Sequence, residues 1–80
     1  MIMKAYYIQK QVESMCSWTT TSSYTISGLS DVRELYMRLT QNDNWRSEQQ
    51  KEEDVTKMYN NGESFVVNVD SETRYRFDLN

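Results

Sequence analysis

A cluster of carboxylates is the part of this sequence that offers the most chemistry. It comprises Glu48, Glu52, Glu53 and Asp54. Glu48 and Glu52 are four residues apart, a spacing that places two side chains on the same face of a helix. Such a pair can bind a divalent cation, but calcium sites usually draw their oxygens from a turning loop that contains glycine. Two interpretations therefore stay open: a solvated helix face, or a surface that meets a basic partner.

Trp45 precedes this cluster and is the only apolar residue between Thr40 and Asp54. No helical or strand periodicity around it predicts burial. Exposed tryptophans are typical of binding hot spots. A tryptophan in a polar segment can also lie under its loop as a lid on the core, and the sequence does not decide between these two positions.

The side chains that most often carry catalysis are missing or isolated. The chain has no histidine and one cysteine, Cys16, so neither a histidine-activated nucleophile nor an ordinary zinc site can be assembled. Ser17 and Trp18 supply no cation that would activate the Cys16 thiol. The two glycines, Gly28 and Gly62, are too far apart for a phosphate-binding loop. We therefore expect no enzymatic activity, no cofactor and no metal.

Four arginines support an alternative function, that of a nucleic-acid-associated regulator. They are Arg33, Arg38, Arg74 and Arg76. This function requires the fold to gather them on one surface, because phosphate binding needs clustered cations. Arg74 and Arg76 share one face of the last predicted strand, where charges commonly protect a sheet edge against aggregation.

Length and composition predict one globular domain, residues 1–80. The chain is 38% hydrophobic and 26% charged, with a net charge of −3. Residues 1–46 carry five basic and four acidic side chains, whereas residues 47–80 carry four basic and eight acidic ones. This acidic second half argues against a general nucleic-acid binder. No apolar run has the length of a membrane span, and the first residues lack the pattern of a signal peptide.

The first half of the chain predicts two strands and a helix. Residues 2–12 form a strand with apolar residues on both faces, and residues 13–17 form a turn. Residues 18–26 alternate, which places Trp18, Thr20, Ser22, Tyr24 and Ile26 on one face. A helix follows Gly28, with Ser30 or Asp31 as its N-cap and Glu34 completing a capping box. Its apolar stripe is Val32, Leu35, Tyr36 and Leu39.

The second half predicts a helix and a hairpin. Ser47 and Gln50 form a capping pattern that begins a helix over residues 47–60, and Gly62 ends it. A single long helix interrupted at residues 42–44 is the alternative. Residues 65–69 and 75–79 alternate as two strands joined by a polar connection. The fold class that accommodates these elements is α+β, a four-stranded antiparallel sheet with one or two helices packed on one face, in the order ββ(αα)ββ.

Two stretches of the chain carry a resemblance to a known family. They are Lys-Ala-Tyr-Tyr-Ile at residues 4–8 and Tyr-Thr-Ile-Ser-Gly-Leu-Ser-Asp-Val-Arg at residues 24–33, followed by the terminal hairpin. This pattern resembles small phage-encoded inhibitors, among them a type I-F anti-CRISPR protein and, more loosely, a phage inhibitor of bacterial RNA polymerase. The chain departs from the anti-CRISPR pattern in the acidic stretch between Thr40 and Gly62, and no interface residue can be carried over.

The resemblance implies a function as a small inhibitor of phage or mobile-element type. Such a protein would act in the cytoplasm of a bacterial host and block a nucleic-acid-binding surface of a host protein or ribonucleoprotein complex. The resemblance supplies no partner-binding residues. From the acidic cluster and the isolated tryptophan, we expect the partner to be bound by Trp45, Glu48, Glu52, Glu53 and Asp54.

Overall fold

A computed structural model gives the fold of the chain and describes residues 4–80. The elements are Ala5–Ser14 (β1), Ser17–Ser27 (β2), Leu29–Leu39 (α1), Glu48–Asn61 (α2), Phe65–Asn68 (β3) and Thr73–Leu79 (β4). All strand pairs are antiparallel, and both helices pack against the same face of the sheet. The predicted α+β fold is confirmed. The predicted strand positions of Ile2 and Met3 lie outside the described residues.

The strand order across the sheet is β2-β1-β4-β3. The last strand pairs with the first, from Tyr6 opposite Leu79 to Val12 opposite Thr73, which makes β4 an interior strand. The prediction that Arg74 and Arg76 protect a sheet edge is therefore wrong. A hairpin pattern in the sequence does not tell which of its two strands joins the rest of the sheet, and here it is the second.

A tight two-residue turn joins β1 to β2. Met15 and Cys16 both have positive φ angles, 51° and 66°, as a type I′ turn requires. The Ser17 hydroxyl donates to the Ser14 carbonyl at 3.0 Å and closes the turn. The sequence predicted a turn here but not this type, because the usual Asn-Gly pair is absent.

A bulge in β2 changes the face on which its side chains lie. Ser22 is opposite Lys10 but Thr20 is opposite Gln11, so that Thr21 is an extra residue in the ladder. Beyond the bulge, Tyr24 and Ile26 face the helices, whereas Trp18 and Thr20 lie on the open face of the sheet, away from the helices. The prediction that all five alternating residues share one face is wrong, since strict alternation assumes an unbroken ladder.

Helix α1 begins at Leu29, one residue earlier than its predicted cap. Gly28 is the N-cap, with φ 88° and ψ 150°, and no side chain caps the helix. The Gly28 N–H donates to the Lys4 carbonyl at 3.0 Å, while its own carbonyl accepts from Val32 at 3.2 Å. The predicted capping box of Asp31 and Glu34 is wrong, because the backbone turn at Gly28 joins β1, β2 and α1 and starts the helix first.

Helix α2 is a separate helix with the predicted signals at both ends. The Ser47 hydroxyl accepts the Gln50 N–H at 3.1 Å. At the other end, Gly62 adopts the left-handed conformation, and Glu63 donates its N–H to the Met58 carbonyl at 3.0 Å. The alternative of one interrupted helix is wrong.

The core fills the space between the two helices and the sheet. Eight side chains in the described chain form its buried part: Tyr6, Ile8, Val32, Tyr36, Val55, Tyr59, Val67 and Phe77. The predicted stripe of α1 faces this core, but Leu35 and Leu39 are only half-buried. The packing of α1 is therefore centred on Val32 and Tyr36 rather than on Leu35.

Candidate functional site

Trp45 lies in the loop that joins α1 to α2, and 81% of its surface is exposed. The alternative that Trp45 covers the core is therefore wrong. The loop that presents it is fixed at its start, where the Thr40 hydroxyl donates to the Tyr36 carbonyl at 2.8 Å. The buried Lys51 ammonium donates to the Thr40 carbonyl at 2.6 Å and so ties the end of α1 to α2.

Arg46 holds the rest of this loop against the two helices. Its guanidinium donates to Asp43 Oδ2 at 2.6 and 3.0 Å, to Asp54 Oδ2 at 2.7 Å and to the Tyr36 hydroxyl at 2.8 Å. The same group lies 4.8 Å from the centre of the Trp45 ring, within the range of a cation–π interaction. Sequence reasoning missed Arg46, and the only signal for it was a lone cation between acidic residues in a polar segment.

These contacts make the ion pairs of Arg46 strong. Burial opposes the positive charge of Arg46, but hydrogen bonds to Asp43, Tyr36 and Asp54 outweigh it and raise the pKa of the guanidinium above its ordinary value. The Asp54 pKa is lowered, mainly by the hydrogen bond from Arg46 and then by the one from Gln50 at 2.9 Å.

Asp54 therefore has a structural role that its place in the acidic cluster concealed. Its carboxylate is half-buried and its oxygens are occupied by Arg46 and Gln50. A partner would have to break these contacts in order to use it. Of the five residues predicted to bind a partner, Asp54 is therefore the one whose side chain is already engaged in contacts within the chain.

The other three carboxylates, Glu48, Glu52 and Glu53, are exposed. None of them forms an ion pair with any residue between 4 and 80. Glu48 and Glu52 line a groove between α1 and α2, whereas Glu53, the next residue after Glu52, points about 100° further around the helix. Trp45 lies in the loop three residues before Glu48, and we call these four exposed residues together the acidic surface: Trp45, Glu48, Glu52 and Glu53.

A groove of about 490 Å³ borders Trp45. It runs between the α1–α2 loop and β3, and its lining includes Leu39, Asp43, Trp45 and Val66. Asp43 Oδ2 accepts hydrogen bonds from Arg46. The other carboxylate oxygen, Oδ1, is buried and has no hydrogen-bond donor within the described chain. A buried acceptor without a donor is unfavourable, and because this oxygen is not exposed, a partner that enters the groove cannot reach it without displacing the atoms that cover it.

The four arginines of the alternative function are not gathered. Arg33 and Arg38 lie on α1, whereas Arg74 and Arg76 lie on the open face of the sheet, on the far side of the core. Arg74 donates to Gln11 at 2.7 Å and stacks 4.2 Å over the Trp18 ring. Arg38 pairs with Glu34 at 3.4 Å and Arg76 with Asp78 at 3.0 Å. The condition on which a phosphate-binding surface depended is not met.

Other possible sites offer little chemistry in the part of the chain that is described. Cys16 is exposed in the β1–β2 turn. Between residues 4 and 80, no three side chains of histidine, cysteine, aspartate or glutamate converge as metal ligands would. No helix within the same range has the length and apolar character needed to cross a membrane.

Comparison of the chain with protein-family models, with curated proteins and with solved structures found no match. The resemblance to phage-encoded inhibitors therefore stays a prediction, and the proposed function rests on the geometry of the site.

Proposed function

We propose that this protein is a small inhibitor of phage or mobile-element type, similar in action to anti-CRISPR proteins, that binds a basic surface of a host protein complex. The surface it would cover is one that otherwise binds nucleic acid. The observation that supports this proposal best is the exposure of Trp45 and of three carboxylates on the following helix, none of which forms an ion pair within the described chain.

Charge favours a basic partner. Glu48, Glu52 and Glu53 project from one helix, and an acidic surface attracts a basic one during diffusion and fixes its orientation on contact. Surfaces that bind nucleic acid are rich in lysine and arginine, because they neutralise phosphates. A protein that presents carboxylates instead of phosphates can occupy such a surface and exclude the nucleic acid.

Trp45 supplies the apolar contact that carboxylates alone cannot give. Its ring already packs against Arg46 on one side, so the ordering of the loop does not have to be established on binding. A side chain of the partner that enters the groove beside Trp45 would contact its apolar lining residues Leu39 and Val66. This arrangement gives binding an aromatic anchor beside an apolar groove, while the carboxylates of α2 supply the charge.

Affinity capture from a bacterial lysate tests the proposal. The wild-type protein, the triple variant E48Q/E52Q/E53Q and the control E13Q/D31N/E72Q are each immobilised. Both variants remove three negative charges, but those of the control lie at exposed positions away from α2. We expect the wild type and the control to retain the same nucleic-acid-binding protein, and the triple variant and W45A to lose it.

The captured complex is then assayed for binding to its nucleic acid, which the wild-type protein should prevent. Equal retention by both triple variants would overturn the role of the acidic surface. A partner that binds this protein and its nucleic acid at the same time would overturn the mode of inhibition.

A further inference from the structure

Strand β2 is an edge of the sheet that has little of the usual protection. It is eleven residues long, and its sequence, Ser-Trp-Thr-Thr-Thr-Ser-Ser-Tyr-Thr-Ile-Ser, contains no charged residue and no proline. Edge strands are usually kept from pairing by lysine, proline, short length or a bulge. The one such device in β2 is the bulge at Thr21, which leaves the regular stretch of residues 22–27 intact.

The hydrogen-bonding pattern shows which backbone groups of this stretch are free. The Gly28 N–H donates to Lys4 across the ladder. Bonded and non-bonded pairs alternate in an antiparallel ladder, so Ser22, Tyr24 and Ile26 bond to β1. The N–H and carbonyl groups of Ser23, Thr25 and Ser27 therefore point away from the sheet, and no strand between residues 4 and 80 lies beyond them.

A second copy of this edge complements the first in both backbone and side chains. A two-fold axis perpendicular to the sheet at Thr25 makes the two strands antiparallel, with Thr25 opposite its counterpart and Ser23 opposite Ser27. In this register, Tyr24 of one copy is opposite Ile26 of the other. Aromatic and β-branched residues are favourable cross-strand neighbours, and the contact would cover Tyr24, which is 41% exposed.

The distribution of charge is consistent with a second copy of the chain at this edge. Each copy carries a net charge of −3, so two copies repel one another over most of their surfaces. The contacting stretch is free of charge, and the groove beside Tyr24 and Ile26 is bordered by both signs, from Asp31, Glu34 and Arg38. The other edge strand, β3, has only four residues and lies beside the loop of Trp45.

We propose that two copies of this chain associate through residues 22–27 of β2 and form a continuous eight-stranded antiparallel sheet. Both helix layers then lie on the same side of this sheet, and each copy keeps its acidic surface free. The inference does not depend on the proposed function, since it uses no residue of the acidic surface.

Amide hydrogen exchange measured over a range of protein concentrations gives the first test. In a monomer, the amides of Ser22, Tyr24 and Ile26 are protected while those of Ser23, Thr25 and Ser27 exchange rapidly. The dimer should protect all six amides, and protection of the second set should rise with concentration together with the mass measured by sedimentation. A single-chain mass at every concentration, with rapid exchange of the second set throughout, would overturn the proposal.

Charged variants give the second test. T25E places two carboxylates opposite one another at the two-fold axis and should raise the dissociation constant of the dimer by about fivefold or more. N68E adds the same charge to the other edge strand and should leave the constant nearly unchanged. T25K should weaken self-association as T25E does, and an equal mixture of the two should restore dimers. Equal effects of T25E and N68E, or no recovery in the mixture, would contradict this interface.

Discussion

Trp45 and Arg46 are neighbours in the chain, yet their side chains should contribute very differently to the stability of the fold. Trp45 extends into solvent, so W45A should change the free energy of unfolding by no more than about 0.5 kcal/mol. Denaturant unfolding followed by circular dichroism measures this. A loss of more than about 1 kcal/mol would place the ring in the core and move the search for an interface to the open face of the sheet.

Substitution of Arg46 should affect the free energy of unfolding far more, because it removes the guanidinium that donates to two carboxylates and to the Tyr36 hydroxyl. We expect R46A to lower the free energy of unfolding by about 2 kcal/mol or more. R46K is the matched control: it retains the charge but not the planar fork of donors, and its loss should be intermediate. Equal stability of R46A and the wild type would show that the loop is not held by this network.

The ion pair of Asp54 also predicts a dependence of stability on pH. The pKa of Asp54 is lower in the folded state than the ordinary value of 3.8. The pair therefore contributes its stabilisation above that ordinary value and loses it as the pH falls through the lowered pKa. Stability curves of the wild type and D54N should separate at neutral pH and converge in strong acid. Curves that stay parallel down to the acid limit would contradict this contribution.

At the scale of elements, the start of α1 depends on Gly28. Its φ of 88° with ψ of 150° lies in a region that residues with a Cβ seldom occupy. We expect G28A to cost about 1–3 kcal/mol, while S30A, which alters the predicted cap, should cost under about 0.5 kcal/mol. Thermal and denaturant unfolding of both variants measure the two losses of stability. A larger loss for S30A than for G28A would show that a side-chain cap, and not the backbone of Gly28, starts the helix.

The packing of α1 gives a second ranking. Leu35 is half-buried, so L35A should cost about 1–2 kcal/mol, below the range for fully buried leucines. V32A removes fewer atoms but empties a position that is completely buried, and it should cost about 2 kcal/mol or more. The reverse order, measured by the same unfolding experiment, would show that Leu35 is the centre of the helix face after all.

The elements that the sequence predicted correctly are those with local signals. Ser47, Gln50 and Gly62 mark both ends of α2 through contacts within a few residues. The errors concern properties that distant residues determine. The side-chain faces of β2 depend on one extra residue opposite Gln11, and the position of Arg74 depends on which strand the last one joins. At the site, the composition of the segment was enough to predict that Glu48, Glu52 and Glu53 are exposed. The ion pair of Asp54 could not be predicted in this way, because its partner, Arg46, lies eight residues away.

At the scale of the whole molecule, the uneven charge should control how fast a partner binds. Replacing Glu48, Glu52 and Glu53 by glutamine removes repulsion on one helix face and should change stability by only a few tenths of a kcal/mol. With a basic partner, association should slow and become less dependent on salt, while W45A should mainly speed dissociation. Stopped-flow or surface-based kinetics at several salt concentrations separate these effects. An unchanged salt dependence in the triple variant would remove the acidic surface from the encounter.

The pairing of β1 with β4 has a consequence for how the chain acquires its structure during synthesis. Tyr6 is opposite Leu79, and the Asn80 N–H donates to the Ala5 carbonyl at 2.8 Å. The β1–β2 hairpin can close early, but β1 lacks its second neighbour until the residues of β4 have left the ribosome. Contacts between segments so far apart close slowly. We therefore expect the edge of β1 that pairs with β4 to stay unpaired during synthesis until the residues of β4 have emerged.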